Sequence, residues 1–469
     1  MNTKIIPGPA GTPFLGSMRP FQANAPHFLT TLAHEYGPIS KFKLFNLSVH
    51  LLSDPDYIRD VLVTNHKLFP KSELGLEIMR RFLGIGLLTS EGEYHRQQRK
   101  LAQPAFHMRR IAGYADIMTN YTRRHLATWQ DGDVRDISEE MMALTMYIVS
   151  KTLFDADMDD MQGAAESIGK AIHILQQVTN DEFKLPVLLP TWLPTPNNRR
   201  RKEQRAVLYG TLEQIIDERR SPANGHIRDT GDLLSMLLLA EDENGNPLRK
   251  QQVRDEVVTL FAAGHETTSN TLTWAWYLLS QHPAVEARLH EEVDQVLGSG
   301  VDGRLPTLDD LPHLPYTEMV IKETLRLYPP AWVLASRQAV ADTEIDGYPL
   351  PKDSLVFISP YALHRLPQYY PDPERFDPER FSPEREKELP RYAYIPFGGG
   401  PHVCIGNSFA MMEAQLLLAT IAQRYRLTLL QETIEMEPLV TLGIKDGLRM
   451  MLTERTAVST KPTPAMLAI

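Results

Sequence analysis

Cysteine is nearly absent: the 469 residues contain one, Cys404. A lone thiol forms no intramolecular disulfide, which excludes the stapled scaffold of small secreted domains. Long apolar runs are missing too. No stretch reaches the ~18 uninterrupted apolar residues of a membrane-crossing helix, and Met1–Pro9 has no signal-peptide core. These absences predict a cytoplasmic chain without a membrane anchor. Nor is there an excess of positive charge: 49 Lys and Arg stand against 59 Asp and Glu, a net charge of −10. Phosphate binding needs a basic face, so nucleic acid is not the expected partner. No internal repeat and no linker-like tract divides the chain.

What is present is an ordinary globular mixture, 42% hydrophobic and 23% charged. Length alone suggests about three domains. Without linkers the expectation is one domain over residues 1–469, large enough to enclose a bulky cofactor. Its lead-in, 1–20, carries Pro7, Pro9, Pro13 and Pro20 among three glycines and reads as extended and turn-rich. Lys41–Phe45 and Val49–Leu52 read as short strands. Helical patterns cover 91–129, 138–154, 163–180, 199–220, 251–280, 282–299, 313–328 and 407–425, with Pro186, Pro190, Pro194 and Pro196 breaking the chain between the third and fourth. Strand-like alternation follows at 343–359, then a proline-rich meander at 367–396, and 453–469 reads as a loose tail. The fold class is mainly α with a small β portion.

Phe397-Gly398-Gly399-Gly400-Pro401-His402-Val403-Cys404-Ile405-Gly406 opens onto the last helix. Consecutive glycines permit positive φ and let backbone approach a flat, bulky group. A cysteine just ahead of a helix N-terminus has its thiolate favoured by free N–H groups and the helix dipole. Such a thiolate suits a soft metal. Taken alone, this residue is as readily a buried structural cysteine or a thiol nucleophile. The run resembles the haem-binding signature of the cytochrome P450 superfamily: Phe, two residues, Gly, one, Arg, one, Cys, one, Gly. Phe397, Gly400, Cys404 and Gly406 match, and His402 stands where arginine is usual. The resemblance implies the cytochrome P450 fold, a triangular prism of helices enclosing haem b (iron protoporphyrin IX). Cys404 would be the axial iron ligand. Histidine also donates to carboxylates, so His402 is an expected propionate partner.

Three further motifs occur in the family's order. Ala263-Gly264-His265-Glu266-Thr267-Thr268 lies in the longest apolar helix pattern. Glycine there costs about 1 kcal/mol against alanine, and buried Glu266 and Thr267 would need partners; a surface-facing acidic patch is the plainer alternative. The resemblance implies that Glu266 and Thr267 bind oxygen and deliver protons, with Ala263 and Gly264 shaping the oxygen pocket. Glu323-Thr324-Leu325-Arg326 would by itself be an ordinary ion pair on a helix face. In the family it forms a buried structural triad with an arginine of the meander, here Arg380 of Phe376-Asp377-Pro378-Glu379-Arg380-Phe381; the similar run ending at Arg375 has poorer context. Gly92–Arg99 is a basic cluster of the kind that is usually solvated, but the resemblance implies His95 and Arg99 at a haem propionate. Arg337, in the strand after Pro330, is a further candidate.

The implied reaction inserts one atom of O2 into an organic substrate, the other being reduced to water. The segment after Cys404 is too short for a flavin or iron–sulfur domain, so electrons are expected from a separate ferredoxin or flavodoxin with its reductase. Arg96, Arg99, Lys100, Arg109 and Arg110 are candidates to receive that donor. Ala331, Val333 and Leu334 are the expected pocket wall, closed by segments near 70–88, 173–193 and Val440–Leu442. Apolar walls favour a lipophilic substrate, such as a fatty acid or terpenoid. Peroxide-driven oxygenation, isomerisation and non-enzymatic haem sensing are the alternatives; the Glu266–Thr267 pair favours the O2 route.

Overall fold

Local chemistry sets the element boundaries. The computed structural model describes residues 4–220, 230–241, 245–300 and 303–455, without the side chains of 158–166. Helix Ala25–Tyr36 starts where the Asn24 side chain accepts the His27 N–H, with Pro26 in its first turn, and stops at Gly37 with φ 78°. Helix Ile137–Phe154 starts on Asp136, which accepts from Ser138, and ends at left-handed Asp155. The 91–129 pattern is not one helix. Gly92–Ala102 is followed by a 3-10 turn at Gln103–Phe106 and short turns before Ala115–Leu126, because Pro104 has no N–H to continue the ladder. Likewise 313–328 divides into a 3-10 segment, Leu308–His313, and the helix Pro315–Leu327. The lead-in gives way to helix earlier than expected, at Met18, since Pro20 sits in a first turn where no N–H is needed.

The chain between 343 and 359 forms a hairpin, Thr343–Ile345 with Tyr348–Leu350, and then a separate strand, Leu355–Ile358. Asp346 and Gly347 both have positive φ, as a tight two-residue hairpin turn requires. A four-stranded sheet runs in the order Ile39–Leu44, Leu47–Leu52, Leu355–Ile358, Arg337–Gln338. Its third strand is parallel to the second, with Val49 opposite Leu355, and antiparallel to the fourth, with Arg337 opposite Val356. Of the expected tail, Thr453 and Glu454 instead complete the strand Arg449–Glu454, paired with Tyr425–Leu429. From 456 onward the tail lies outside the described residues.

Two hydrophobic cores result. The smaller packs helix Ala25–Tyr36 on the four-stranded sheet through Leu29, Leu32, Phe42, Val49, Leu51 and Val356. The larger is built by helices around the long helix, Lys250–Gln281, which is buried along most of its length. Gly264 explains how closely a neighbour approaches: a Cβ there would stand 2.8 Å from Val149 Cγ2, a stiff β-branched side chain on Ile137–Phe154. This packing supplies a reason for glycine that the oxygen-pocket expectation does not need. The helix Asn407–Arg424 runs through the same core, with Leu416, Leu417, Leu418 and Ile421 fully buried.

Candidate active site

The cysteine loop is closed by its own backbone. Cys404 N–H donates to Phe397 O at 2.9 Å and Val403 N–H to Gly400 O at 3.1 Å. Gly398 and Gly400 have φ of 71° and 67°. A Cβ on Gly400 would fall 1.9 Å from Leu62 O, and one on Gly399 would meet the Tyr392 ring at 2.7 Å. The glycines at 399 and 400 therefore let this loop press against protein, the 60–64 turn and the meander. Gly406 precedes the helix Asn407–Arg424. Cys404 is exposed although it lies deep within the fold, so it faces an internal space. Burial pushes its thiol up, while the Gly406 N–H and the Arg99 charge favour thiolate. Phe397 packs against the larger core.

In the long helix, Ala263 is the exposed residue of a buried stretch, flanked by Phe261, Ala262, His265 and Glu266. Thr267 donates its hydroxyl to Ala263 O at 2.9 Å. Glu266 is not bonded to Thr267. Its Oε1 accepts from Thr441 Oγ1 at 2.6 Å and from Gln176 Nε2. Burial raises the Glu266 carboxyl above its ordinary value, with those two donors opposing. Acid and alcohol are thus adjacent in sequence but held by different groups. Glu266 thereby belongs to a network joining the long helix to helix Met158–Phe183 and to the hairpin Met436–Pro438 with Leu442–Ile444. Gln176 and Thr441 carry no motif, and their partner lies 90 and 175 residues away. No local pattern marks them.

A cationic cluster flanks the cysteine loop. The rings of His95 and His402 lie 4.1 Å apart. His402 Nε2 is 2.9 Å from Glu91 Oε1, and its Nδ1 is buried without a hydrogen-bond partner. Arg337 is buried in the fourth sheet strand, its Nε also without a partner. Arg99 Nη1 donates to Val403 O at 2.7 Å, which commits part of that guanidinium to holding the cysteine loop. Lys71 and Glu91 were not singled out by the sequence. Lys71 donates from Nζ to Leu88 O and Ser90 O, and burial brings its ammonium down to about 7. Glu91 caps the helix Gly92–Ala102; an acid just before Gly92 is the one signal that could have found it. This donor set fits haem: a thiol facing an internal space, two buried unpaired nitrogens and several cations for two propionates.

Ala331, Val333 and Leu334 are half-buried around buried Trp332. Leu334 N–H donates to Ile358 O at 2.9 Å, and its side chain lies beside Gly398 of the cysteine loop. Behind that loop, Glu323 and Arg326 are fully buried and bonded at 2.7 and 2.8 Å. Arg380 approaches Glu323 to 3.4 Å, so the expected triad assembles. Arg375 contributes only its carbonyl, to Arg326. Of the expected docking cations, Arg96 is bridged to Glu93 at 2.7 Å, whereas Lys100 and Arg109 are exposed.

Residues 6–447 match the cytochrome P450 family. Cyclooctat-9-en-7-ol 5-monooxygenase of Streptomyces melanosporofaciens is 40% identical over 423 residues, 89% of this chain and 88% of that protein. Pentalenene oxygenase of Streptomyces avermitilis is 35% identical over 450 residues, 96% of this chain and 97% of that protein. A retinoic-acid-bound cyanobacterial CYP120A1 superposes with a TM-score of 0.82 at 28% identity, covering 97% of this chain and all of that one. No described helix is long and apolar enough to cross a membrane. Signature, fold and relatives agree: this chain belongs to the cytochrome P450 family, and it is a haem-binding monooxygenase.

Proposed function

We propose that this monooxygenase oxygenates a terpenoid, drawing electrons from a separate ferredoxin or flavodoxin system. Cys404 would ligate the haem iron, and Arg337, His402, His95 and Arg99 would hold the propionates. Bound haem supplies O2 activation. The protein supplies position and protons. Thr267 holds its hydroxyl beside the exposed Ala263, where it would hold a proton for the oxygen site. Glu266, whose protonated form burial favours, is the nearby acid that would release a proton once its contacts with Gln176 and Thr441 loosen. Ala331, Val333 and Leu334 form an apolar wall that excludes water.

The observation that carries this reading is a thiol deep in the fold, facing an internal space on a loop that a cationic cluster flanks. The terpenoid assignment rests on the relatives that oxygenate cyclooctat-9-en-7-ol and pentalenene. The test has two steps. Reduced protein with carbon monoxide is expected to give the strongly red-shifted Soret band of thiolate ligation, lost in Cys404→Ser. Cyclic sesquiterpene and diterpene hydrocarbons and alcohols, with a surrogate ferredoxin and reductase, are then expected to yield hydroxylated products. A histidine-type spectrum overturns the ligand assignment; turnover of fatty acids alone overturns the substrate class.

A further inference from the structure

Histidine at 402 is shorter than the arginine usual in this signature, so its single ring must be aimed well to serve the same purpose. Two contacts hold that ring. One is the His95 ring, 4.1 Å away between centroids. The other is Glu91, whose Oε1 lies 2.9 Å from Nε2. Glu91 is itself immobilised. Its Oε2 accepts the Lys71 N–H at 2.9 Å, its Oε1 accepts the Gly92 N–H at 3.2 Å, and the backbone donors belong to two different segments. A carboxylate pinned by main-chain donors cannot follow a moving partner; the partner has to come to it. With Nε2 committed, the other ring nitrogen, Nδ1, is left buried and without a hydrogen-bond partner among the described residues. Buried polar atoms of that kind are costly unless something bonds them.

We propose that Glu91 is a positioning residue for the haem: by accepting from Nε2–H it fixes the His402 ring, held as an imidazolium between two carboxylates, so that Nδ1–H would be presented to a propionate, which lets histidine serve where arginine is usual. Glu91 is also the carboxylate that faces the neighbouring Lys71 and Arg337 side chains. The cluster would otherwise repel itself before any propionate arrives. The inference rests on the haem-thiolate reading and concerns how the haem is retained, not what it oxidises.

The test is a double-mutant cycle read as the rate of haem transfer from the loaded enzyme to excess apomyoglobin. Glu91→Ala is expected to speed haem loss about tenfold in the natural background, the usual cost of losing a partner that orients a ligand residue. In a His402→Ala background the same change is expected to have less than about a twofold effect, because the two residues act as one unit. His402→Arg is expected to restore slow loss to the Glu91→Ala enzyme, since a guanidinium reaches further without support. Equal acceleration in both backgrounds would mean that Glu91 acts only through the Gly92 helix cap and the Lys71 link, and would overturn the proposal. No acceleration would do so as well. Should Glu91→Ala not accumulate as haem protein, Glu91→Gln, which keeps an acceptor for one of the two backbone donors and loses the charge, carries the same cycle. A natural enzyme lacking the thiolate spectrum would instead overturn the parent reading.

Discussion

Buried acids on and around the helix Asn407–Arg424 are treated in opposite ways. Behind it, Glu323 is fully buried but meets Arg326 through two hydrogen bonds, the Asp377 N–H at 2.9 Å and Arg380 at 3.4 Å. Arg326 in turn donates to the carbonyls of His364, Pro373 and Arg375. By contrast, buried Glu266 and Glu413 have no lysine or arginine beside them among the described residues, and only His173 acts electrostatically on Glu266. Glu413 lies near Thr268 of the long helix, and neither of its oxygens has good hydrogen-bond geometry. A charge matched in place is a fixed strut. A carboxyl without a counter-charge is driven to its neutral form by desolvation, and a neutral carboxyl still carries a proton. The difference separates the part of the molecule that holds the meander from the part that can move hydrogen.

The comparison is broken most severely on the strut side. Arg326→Ala leaves buried Glu323 with only Arg380 and the Asp377 N–H and strips three carbonyls of their donor, a change of the class that costs about 3–5 kcal/mol. The expected outcome is loss of haem-loaded, folded protein, read from the Soret absorbance of soluble material. Arg326→Lys is expected to fail nearly as badly, since one ammonium cannot span five acceptors arranged for a planar fork. If Arg326→Ala gave normal haem yield and thermal midpoint, the strut interpretation would not stand.

On the proton side the fold is expected to survive and the chemistry to suffer. Glu266→Gln keeps an acceptor for Thr441 but has no proton to release. Product formation should fall about 10²-fold, the low end for removing a general acid, with little change in thermal midpoint. Thr267→Ala should leave electron consumption running while most of it forms peroxide or water, measured as product per reducing equivalent. Full coupling in Thr267→Ala, or unchanged turnover in Glu266→Gln, would place proton delivery elsewhere.

These two sides were not equally legible in the sequence. The strut could be read because the family resemblance paired the Glu323 helix with the meander, and its partners are named motifs at both ends. The cysteine loop could be read for the same reason, although the packing of its glycines on Leu62 and Tyr392 could not. Glu266 was legible as a residue but not as a geometry. Its carboxyl faces Gln176 and Thr441, which become neighbours only after two other elements have packed on the long helix. Glu91 was hidden similarly, since a helix cap looks local until the cysteine loop arrives beside it. Periodicity located the long helix to within a residue at each end, but the 91–129 pattern concealed the interruption at Pro104 because the apolar spacing continues across it.

The finest distinction concerns Glu413, which can be read through stability alone. Burial pushes its carboxyl from the ordinary value of 4.5 up to about 8. Between those values the unfolded chain has released a proton that the folded chain retains. The unfolded state therefore binds fewer protons, and stability falls as pH rises through that window, by at most about 1.4 kcal/mol per pH unit from this group. Below 4.5 both states are protonated and the contribution is flat. Glu413→Gln removes the titration but keeps the volume and polarity of the site. Its thermal midpoint should match that of the natural protein near pH 4.5 and exceed it increasingly toward pH 8. Glu323→Gln, which removes the charge that Arg326 requires, should be destabilising across the same range. A Glu413→Gln midpoint that tracked the natural protein at every pH would show that this acid stays ionised, and the contrast between matched and unmatched carboxyls would fail at its least exposed member.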